Sequence, residues 1–103
     1  MEKINKLLAI LQANPADSFI QHALALEYIK SGNDQDARKM FEELLSRDLG
    51  YVGSYYHLGK LLERINEKDK ALLVYEKGME LAKDLDEKQT FSELKGAWEE
   101  LSF

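Results

Sequence analysis

The sequence predicts an all-α protein of about six helices, and three observations support this prediction. Its 103 residues contain one proline, where average usage would give about five, so little interrupts the helical segments. Apolar residues recur at the spacing of an amphipathic helix in successive segments of the chain. A residue pattern also recurs after 34 positions, and a period of this length is typical of stacked helical hairpins.

Apolar periodicity and turn residues mark the first three helices. We expect one helix within residues 1–15 and a second over about 17–31, where Ser18 with Gln21 three residues later resembles a capping box. A Ser-Gly-Asn-Asp run then ends the second helix, and its Asp34 can cap the third. Short loops of this kind make successive helices antiparallel neighbours.

The fourth and fifth helices are predicted over about 51–65 and 68–83, with a turn between them at Asn66. The last helix bears one apolar stripe, which lies two residues later than the repeat predicts because of an insertion before it. Its start stays open, since both Asp86 and Thr90 can cap it. Its other faces are polar, as expected at the end of a stack. The stripe consists of Phe91, Leu94, Trp98 and Leu101.

Composition excludes several classes of protein. No cysteine is present, which excludes disulfides, thiolate zinc sites, iron–sulfur clusters and cysteine nucleophiles. The net charge of −5 argues against nucleic acid as a ligand, because phosphate binding requires surplus Lys and Arg. The most apolar run near the start spans only residues 7–11, too short for a signal peptide or a transmembrane helix. We therefore expect a cytoplasmic protein that does not contact a membrane.

The repeat is specific in residue type as well as in period. Six residues of one copy correspond to six residues placed 34 positions later, with similar side chains at most of these positions. This pattern resembles the tetratricopeptide repeat, in which Trp, Leu, Gly, Tyr, Ala and Phe stand at fixed offsets. The two sets are Gln21, Leu24, Ala25, Tyr28, Ala37 and Phe41, then Tyr55, Leu58, Gly59, Leu62, Ala71 and Tyr75.

The match departs from the family pattern at a few positions. Gln21 stands where the pattern has Trp, and Leu49 and Lys83 stand where it closes on Pro. Pro15, however, lies one period before Leu49, which places the start of the chain as the second half of an earlier repeat. Gly78 in mid-helix is interpreted as a site of close packing, since glycine there weakens a helix by about 1 kcal/mol.

The resemblance implies a single-domain, right-handed α-solenoid of antiparallel helix hairpins, similar to the small stand-alone bacterial members of the family. Stacking gives such hairpins a continuous core that none of them could form alone. The expected division of 1–103 is a half-repeat helix at 1–15, repeats at 18–51 and 52–85, and a capping helix at 86–103.

Motifs for catalysis and metal binding are absent from the sequence. His22 and His57 have no Asp or Glu three or four residues away on their helices, as a metal site would favour. No Gly-rich phosphate loop, nucleophile elbow or HExxH motif occurs. Tyr51, Tyr55 and Tyr56 could stack nucleic-acid bases, but an acidic chain repels the phosphate backbone. We expect no enzyme, no catalytic or metal site, no cofactor and no nucleic-acid partner.

The resemblance implies that the first helix of each repeat lines a concave groove that binds a peptide or a partner helix of another protein. Leu26 and Ile29 are not needed for the core, and a leftover apolar patch favours a contact surface. Lys30, Lys60 and Arg64 against one Glu make the groove locally basic, which predicts an apolar and acidic ligand, and Glu99 and Glu100 on the capping helix are the residues that could offset this charge. The groove residues are Phe19, His22, Leu26, Ile29, Lys30, Tyr56, Lys60, Glu63 and Arg64.

Two alternatives qualify this expectation. The family's clamp for carboxylate tails of chaperones uses Lys, Asn and Arg, whereas the matching positions here hold His22, Leu26 and His57, so that ligand is not expected. The leftover apolar residues also suit a self-associating structural subunit, in which an exposed hairpin edge pairs across a two-fold axis to form a homodimer.

Overall fold

The computed structural model describes residues 2–103, and Met1, the first residue of the predicted half-repeat, lies outside them. This part of the chain forms six helices and no strands, which confirms the all-α prediction. The chain divides into two compact units, unit 1 at residues 2–48 and unit 2 at residues 49–103. The helices are α1 Glu2–Ala13, α2 Ser18–Lys30, α3 Asp34–Arg47, α4 Gly53–Arg64, α5 Lys68–Asp84 and α6 Lys88–Ser102.

Three of the turns between helices share one hydrogen-bonding pattern. Gly32, Asn66 and Asp86 have φ angles of 81°, 65° and 58°. In each turn, the amide of the following residue donates to the carbonyl five positions earlier, at 2.8 Å. This is the Schellman ending, which suits glycine and asparagine because their left-handed conformation is strained for most other residues. The turns predicted at Gly32 and Asn66 are confirmed.

The helix starts differ from the predicted caps by one residue. Asp17, and not Ser18, occupies the capping position of α2, and its carboxylate accepts from the amide of Ile20 at 3.1 Å. The Ser18 hydroxyl instead donates to Asp48 at 2.7 Å. Asp34 is already the first residue of α3. Its negative charge there interacts favourably with the positive end of the helix dipole. Helix α6 begins at Lys88, so neither Asp86 nor Thr90 caps it.

Unit 1 packs α2 against both α1 and α3. Its core contains one buried polar side chain, Gln21, which stands in the family's Trp position and is 5% exposed. Arg47 donates to the Gln21 side-chain oxygen, which meets the need of a buried amide for a partner. The apolar core residues are Ile4, Leu24, Ala25, Ala37, Phe41, Leu44 and Leu45.

Unit 2 packs α5 between α4 and α6, and α4 also contacts α6. Two glycines allow this close approach. A Cβ on Gly59 would lie 2.1 Å from Cε1 of Tyr75, and one on Gly78 would lie 2.7 Å from Cβ of Tyr55 and 2.9 Å from Cδ1 of Leu94. The interpretation of Gly78 as a close-packing site is therefore confirmed. The apolar core residues are Val52, Tyr55, Leu58, Leu61, Leu62, Ala71, Tyr75, Ala82, Leu94 and Ala97.

Candidate functional site

The nine predicted groove residues lie on the first helix of each repeat, five on α2 in unit 1 and four on α4 in unit 2. On α2, Phe19 is 67% exposed, whereas Leu26 and Ile29 are half-buried. His22 is half-buried and meets Phe41 edge-on, with ring centroids 5.8 Å apart. The apolar surface offered by α2 is thus concentrated at Phe19.

Lys30 at the end of α2 is balanced within unit 1. Its Nζ lies 3.7 Å from Oε2 of Glu27, and Nζ of Lys3 on α1 lies at the same distance from that oxygen. One carboxylate thus pairs with two lysines. Because Lys30 already has an acidic partner on its own helix, it contributes less positive field to a ligand than the sequence pattern predicted.

On α4, three of the predicted residues form a connected polar group. Nζ of Lys60 lies 5.7 Å from the ring centroid of Tyr56 and 3.8 Å from Oε2 of Glu63. Glu63 also accepts a hydrogen bond from the hydroxyl of the buried Tyr75. Burial, followed by this hydrogen bond, raises the pKa of Tyr75 above its usual value of 10.0. Arg64, the fourth residue, is exposed at the end of the helix.

Tyr56 and Lys60 form one wall of a cleft of about 240 Å³ between α4 and α6, called here the α4–α6 cleft. The buried Ala97 and half-buried Gly96 lie on the other side. A Cβ placed on Gly96 would meet nothing within 4 Å, so the space beside it is open. The residues contributed by α6 are Ser92, Glu93, Gly96, Ala97 and Glu100.

None of these five α6 residues was among the predicted groove residues, although Glu100 was considered as a charge that could offset the groove. The repeat itself gave a usable signal, because α6 follows a complete repeat and so takes the place of a first helix. The two-residue insertion hid this correspondence, and the polar residues of α6 were interpreted as the solvated face of a cap. In the structure, part of that polar face, including Glu93 and Glu100, lines the cleft.

The charge of the α4–α6 cleft differs from the sequence expectation of a locally basic groove. Lys60 is its one cation, and Glu93 and Glu100 are its two carboxylates. His57, half-buried on α4, does not line the cleft but is close enough to Glu93 to be affected by its charge. Burial lowers the pKa of His57 below 6.5, and the negative charge of Glu93 opposes this by favouring the protonated ring.

The arrangement of the cleft is suited to binding. A cleft with one aromatic ring, one amine and separated carboxylates offers apolar contact, hydrogen bonds and charge. Among residues 2–103, no three His, Asp or Glu side chains are grouped so that they could hold a metal ion. Within the same range, no helix is long and apolar enough to span a membrane.

Two helical hairpins related by a 34-residue period, each closed by the same left-handed turn, define a helical-repeat protein of the solenoid class. Comparison with known families agrees with this, since the tetratricopeptide repeat matches residues 20–51 and 52–85. The chain belongs to the tetratricopeptide repeat family. No curated protein sequence matches it.

Solved structures support the same assignment. The chain is similar to a tetratricopeptide repeat domain protein from Salinibacter ruber, with 42% identity over 84% of this chain and 96% of that one and a TM-score of 0.80 for its crystal structure. A solution structure of the Salinibacter ruber domain gives a TM-score of 0.82, covering 85% and 89% of the two chains at 42% identity. A protein from Bordetella parapertussis shares the fold at 21% identity, with a TM-score of 0.83 over 96% of this chain and 86% of that one.

Proposed function

We propose that this chain is a non-catalytic interaction module whose α4–α6 cleft binds a peptide segment of another protein. Tetratricopeptide repeats in general are non-catalytic scaffolds that mediate protein–protein interaction. The observation that supports the proposal most is the cleft itself, because a concave surface with an aromatic wall and an open floor at Gly96 suits a ligand. No reaction is assigned to it.

The predicted groove residues on α2 take a supporting part in this proposal. Phe19 offers the largest apolar surface among them, since 67% of it is exposed. Large exposed aromatic side chains often act as anchors at protein interfaces. We therefore assign Phe19, together with the half-buried Leu26 and Ile29 further along α2, to apolar contact with a partner protein.

Affinity capture from a lysate of the source cells tests the proposal. Immobilised wild type is compared with Tyr56→Ala, which removes the aromatic wall of the cleft, and with Phe19→Ala. Leu73→Ala is the matched control, because Leu73 is 65% exposed on α5 and is not a predicted groove residue. Melting followed by circular dichroism first verifies that every variant is folded.

The expected result is a set of proteins retained by wild type and Leu73→Ala, and lost or strongly reduced with Tyr56→Ala. Phe19→Ala should reduce the same set. Retention of one identical set by all four proteins, quantified by mass spectrometry, would contradict binding in the cleft.

Helix α1 favours the second candidate function, self-association as a homodimer. Its only core residue is Ile4, whereas Leu8 is 40% and Ile10 is 48% exposed. Apolar side chains exposed this far on one helix suit burial against a second copy. Light scattering over a concentration series should then show a dimer that Leu8→Lys/Ile10→Lys converts to monomer, whereas a monomer at every concentration would exclude this candidate. The cytoplasmic location and the repeat boundaries at 18–51, 52–85 and 86–103 stay predictions.

A further inference from the structure

The charged side chains that line the α4–α6 cleft differ in how far other residues of the protein already neutralise their charge. Lys60 lies 3.8 Å from Glu63 and over the ring of Tyr56. Its charge is therefore partly neutralised before any ligand arrives, which weakens its attraction for an acidic residue. The ammonium group of Lys60 can still donate hydrogen bonds to a neutral acceptor such as a peptide carbonyl.

The charges of the two carboxylates in the cleft are less neutralised by neighbouring residues than the charge of Lys60. Glu93 accepts only a long hydrogen bond of 3.4 Å from the Gln89 amide, and it acts on His57 through charge alone. Glu100 has no hydrogen bond or ion pair with any of residues 2–103, and its charge is felt at the buried Tyr75. The field inside the cleft is consequently negative, and the charge that complements it is positive.

The spacing of the two carboxylates limits the form of the ligand. Glu93 and Glu100 are seven residues apart on α6, which is two helical turns, so they share one face and lie about 10 Å apart along the axis. Gly96 and Ala97 lie between them and leave this stretch of the cleft open. In a chain in the polyproline II conformation, which has three residues per turn and rises 3.1 Å per residue, residues three positions apart share one face and lie about 9 Å apart.

We infer that the α4–α6 cleft selects an extended segment of a partner protein, in the polyproline II conformation, that carries two Lys or Arg residues three positions apart. This inference rests on the proposed function and names its ligand chemistry. One basic head pairs with Glu93 and the other with Glu100, while the backbone between them crosses the floor at Gly96. Lys60 donates to a carbonyl oxygen of that backbone, and Tyr56 packs against the aliphatic stems. An extended segment leaves its carbonyl oxygens free to accept from Lys60, whereas the interior carbonyls of a helix are already bonded within the helix.

This ligand is basic, whereas the ligand predicted from the sequence is acidic. The sequence prediction was based on the cations of the first helices, Lys30, Lys60 and Arg64, and considered the acidic residues of α6 only as an offset. In the structure, Lys30 and Lys60 both have acidic partners. The inference therefore depends on the carboxylates of α6. The test must compare a variant that removes them with a control variant of the same net charge.

A random twelve-residue peptide library displayed on phage is the probe. It is selected in parallel on four immobilised proteins: wild type, Glu93→Gln/Glu100→Gln, the control Glu80→Gln/Glu99→Gln, and Gly96→Trp. The two double variants have the same net charge, and the exposed Glu80 and Glu99 do not line the cleft. Gly96→Trp fills the cleft, and the open space at Gly96 makes it compatible with the fold, which a circular-dichroism melt verifies.

Wild type and the control pair should enrich peptides with two basic residues three positions apart. A labelled peptide of that sequence should bind Glu93→Gln/Glu100→Gln at least about ten-fold more weakly by fluorescence anisotropy, the equivalent of about 1.4 kcal/mol. Gly96→Trp should enrich no such peptide.

Two kinds of failure are distinguishable. Enrichment of acidic peptides, or basic peptides that bind both double variants equally, would overturn this inference and leave the proposed function in place if Gly96→Trp abolishes the selection. Selection that Gly96→Trp leaves unchanged, or no enrichment on wild type, would overturn both the inference and binding in the cleft.

Discussion

Three of the positions at which the hairpins α2–α3 and α4–α5 differ, each pair 34 residues apart, are instructive: Ala25, Ile29 and Phe41 in unit 1, and Gly59, Glu63 and Tyr75 in unit 2. Both aromatic rings are completely buried, and both small residues are buried as well. In unit 2 the ring carries a hydroxyl, which donates to Glu63. In unit 1 neither Phe41 nor Ile29 has a side-chain polar atom.

The comparison shows that both hairpins keep a small residue and an aromatic ring at these core positions and differ in the polarity of the ring. A hydroxyl inside a core is tolerated only with an acceptor, and Glu63 is that acceptor in unit 2. Because Glu63 also pairs with Lys60, the substitution of Phe by Tyr connects the core of unit 2 to the wall of the α4–α6 cleft. Unit 1 has only apolar residues at these positions.

The largest effect is expected from making unit 2 resemble unit 1 at the small position. Gly59→Ala places a Cβ 2.1 Å from the Tyr75 ring, and the buried ring has little room to move. We expect a loss of about 2–3 kcal/mol in the free energy of unfolding, measured by urea denaturation, although alanine favours a helix. Gly96→Ala, where the space is open, should instead gain about 0.5–1 kcal/mol. Equal stability of Gly59→Ala and wild type would show that the ring is not fixed.

The second effect concerns the hydroxyl. Tyr75→Phe removes the donor to Glu63, and we expect a loss of about 1 kcal/mol, because the Glu63 side chain is 28% exposed and water replaces part of the bond. Combining it with Glu63→Ile reproduces the pair of unit 1 and should cost less than the two single changes together. Tyr56→Phe is the control, since the Tyr56 hydroxyl has no hydrogen bond within residues 2–103. Additive single changes would mean that the pair is not coupled.

The third effect is a pH dependence that unit 2 should show through Tyr75. Its pKa is raised in the folded protein by burial and by the bond to Glu63, so the unfolded chain loses this proton first. The contribution to stability is complete below pH 10.0, the usual value, and is lost as the pH rises above it. The loss is about 1.4 kcal/mol per pH unit for one proton. Urea denaturation between pH 9 and 11 should give a flatter profile for Tyr75→Phe, and identical profiles would contradict the assignment.

The smallest effect is at the cleft edge, where α4 and α6 meet. Glu93 raises the pKa of His57 against the lowering caused by burial. Glu93→Gln should therefore lower the pKa of His57 further in an NMR titration, while Glu99→Gln should leave it nearly unchanged. A pKa that responds equally to both changes would mean that Glu93 has no particular proximity to the ring.

Local features of the sequence predicted much of the fold, and contacts between helices could not be predicted in the same way. The turns at Gly32 and Asn66 follow from residues that accept a left-handed conformation. The cap of α2 was missed because Ser18 and Asp17 are both good caps, and a partner 30 positions away, Asp48, engages Ser18. The cap shifted by one residue for that reason.

The candidate site likewise contains residues that the repeat predicted and residues that only the packing between helices reveals. Tyr56 and Lys60 were predicted as groove residues from the repeat, and both line the cleft. Glu93 and Glu100 were missed as groove residues because an insertion shifts α6 out of phase, and charged residues on a terminal helix look like a solvated face. Only the packing of α6 against α4 and α5 reveals which of its polar residues face the cleft.

The three left-handed turns also have a genetic consequence. Their central positions hold Gly32, Asn66 and Asp86, the three residues that such a turn accepts most readily. In the genetic code, a single base change connects the codons of glycine with those of aspartate, and another connects aspartate with asparagine. A lineage can therefore exchange the residue at these positions step by step through aspartate without passing through a strained turn. Variation confined to these three residues is what natural sequences of this repeat should show at each turn.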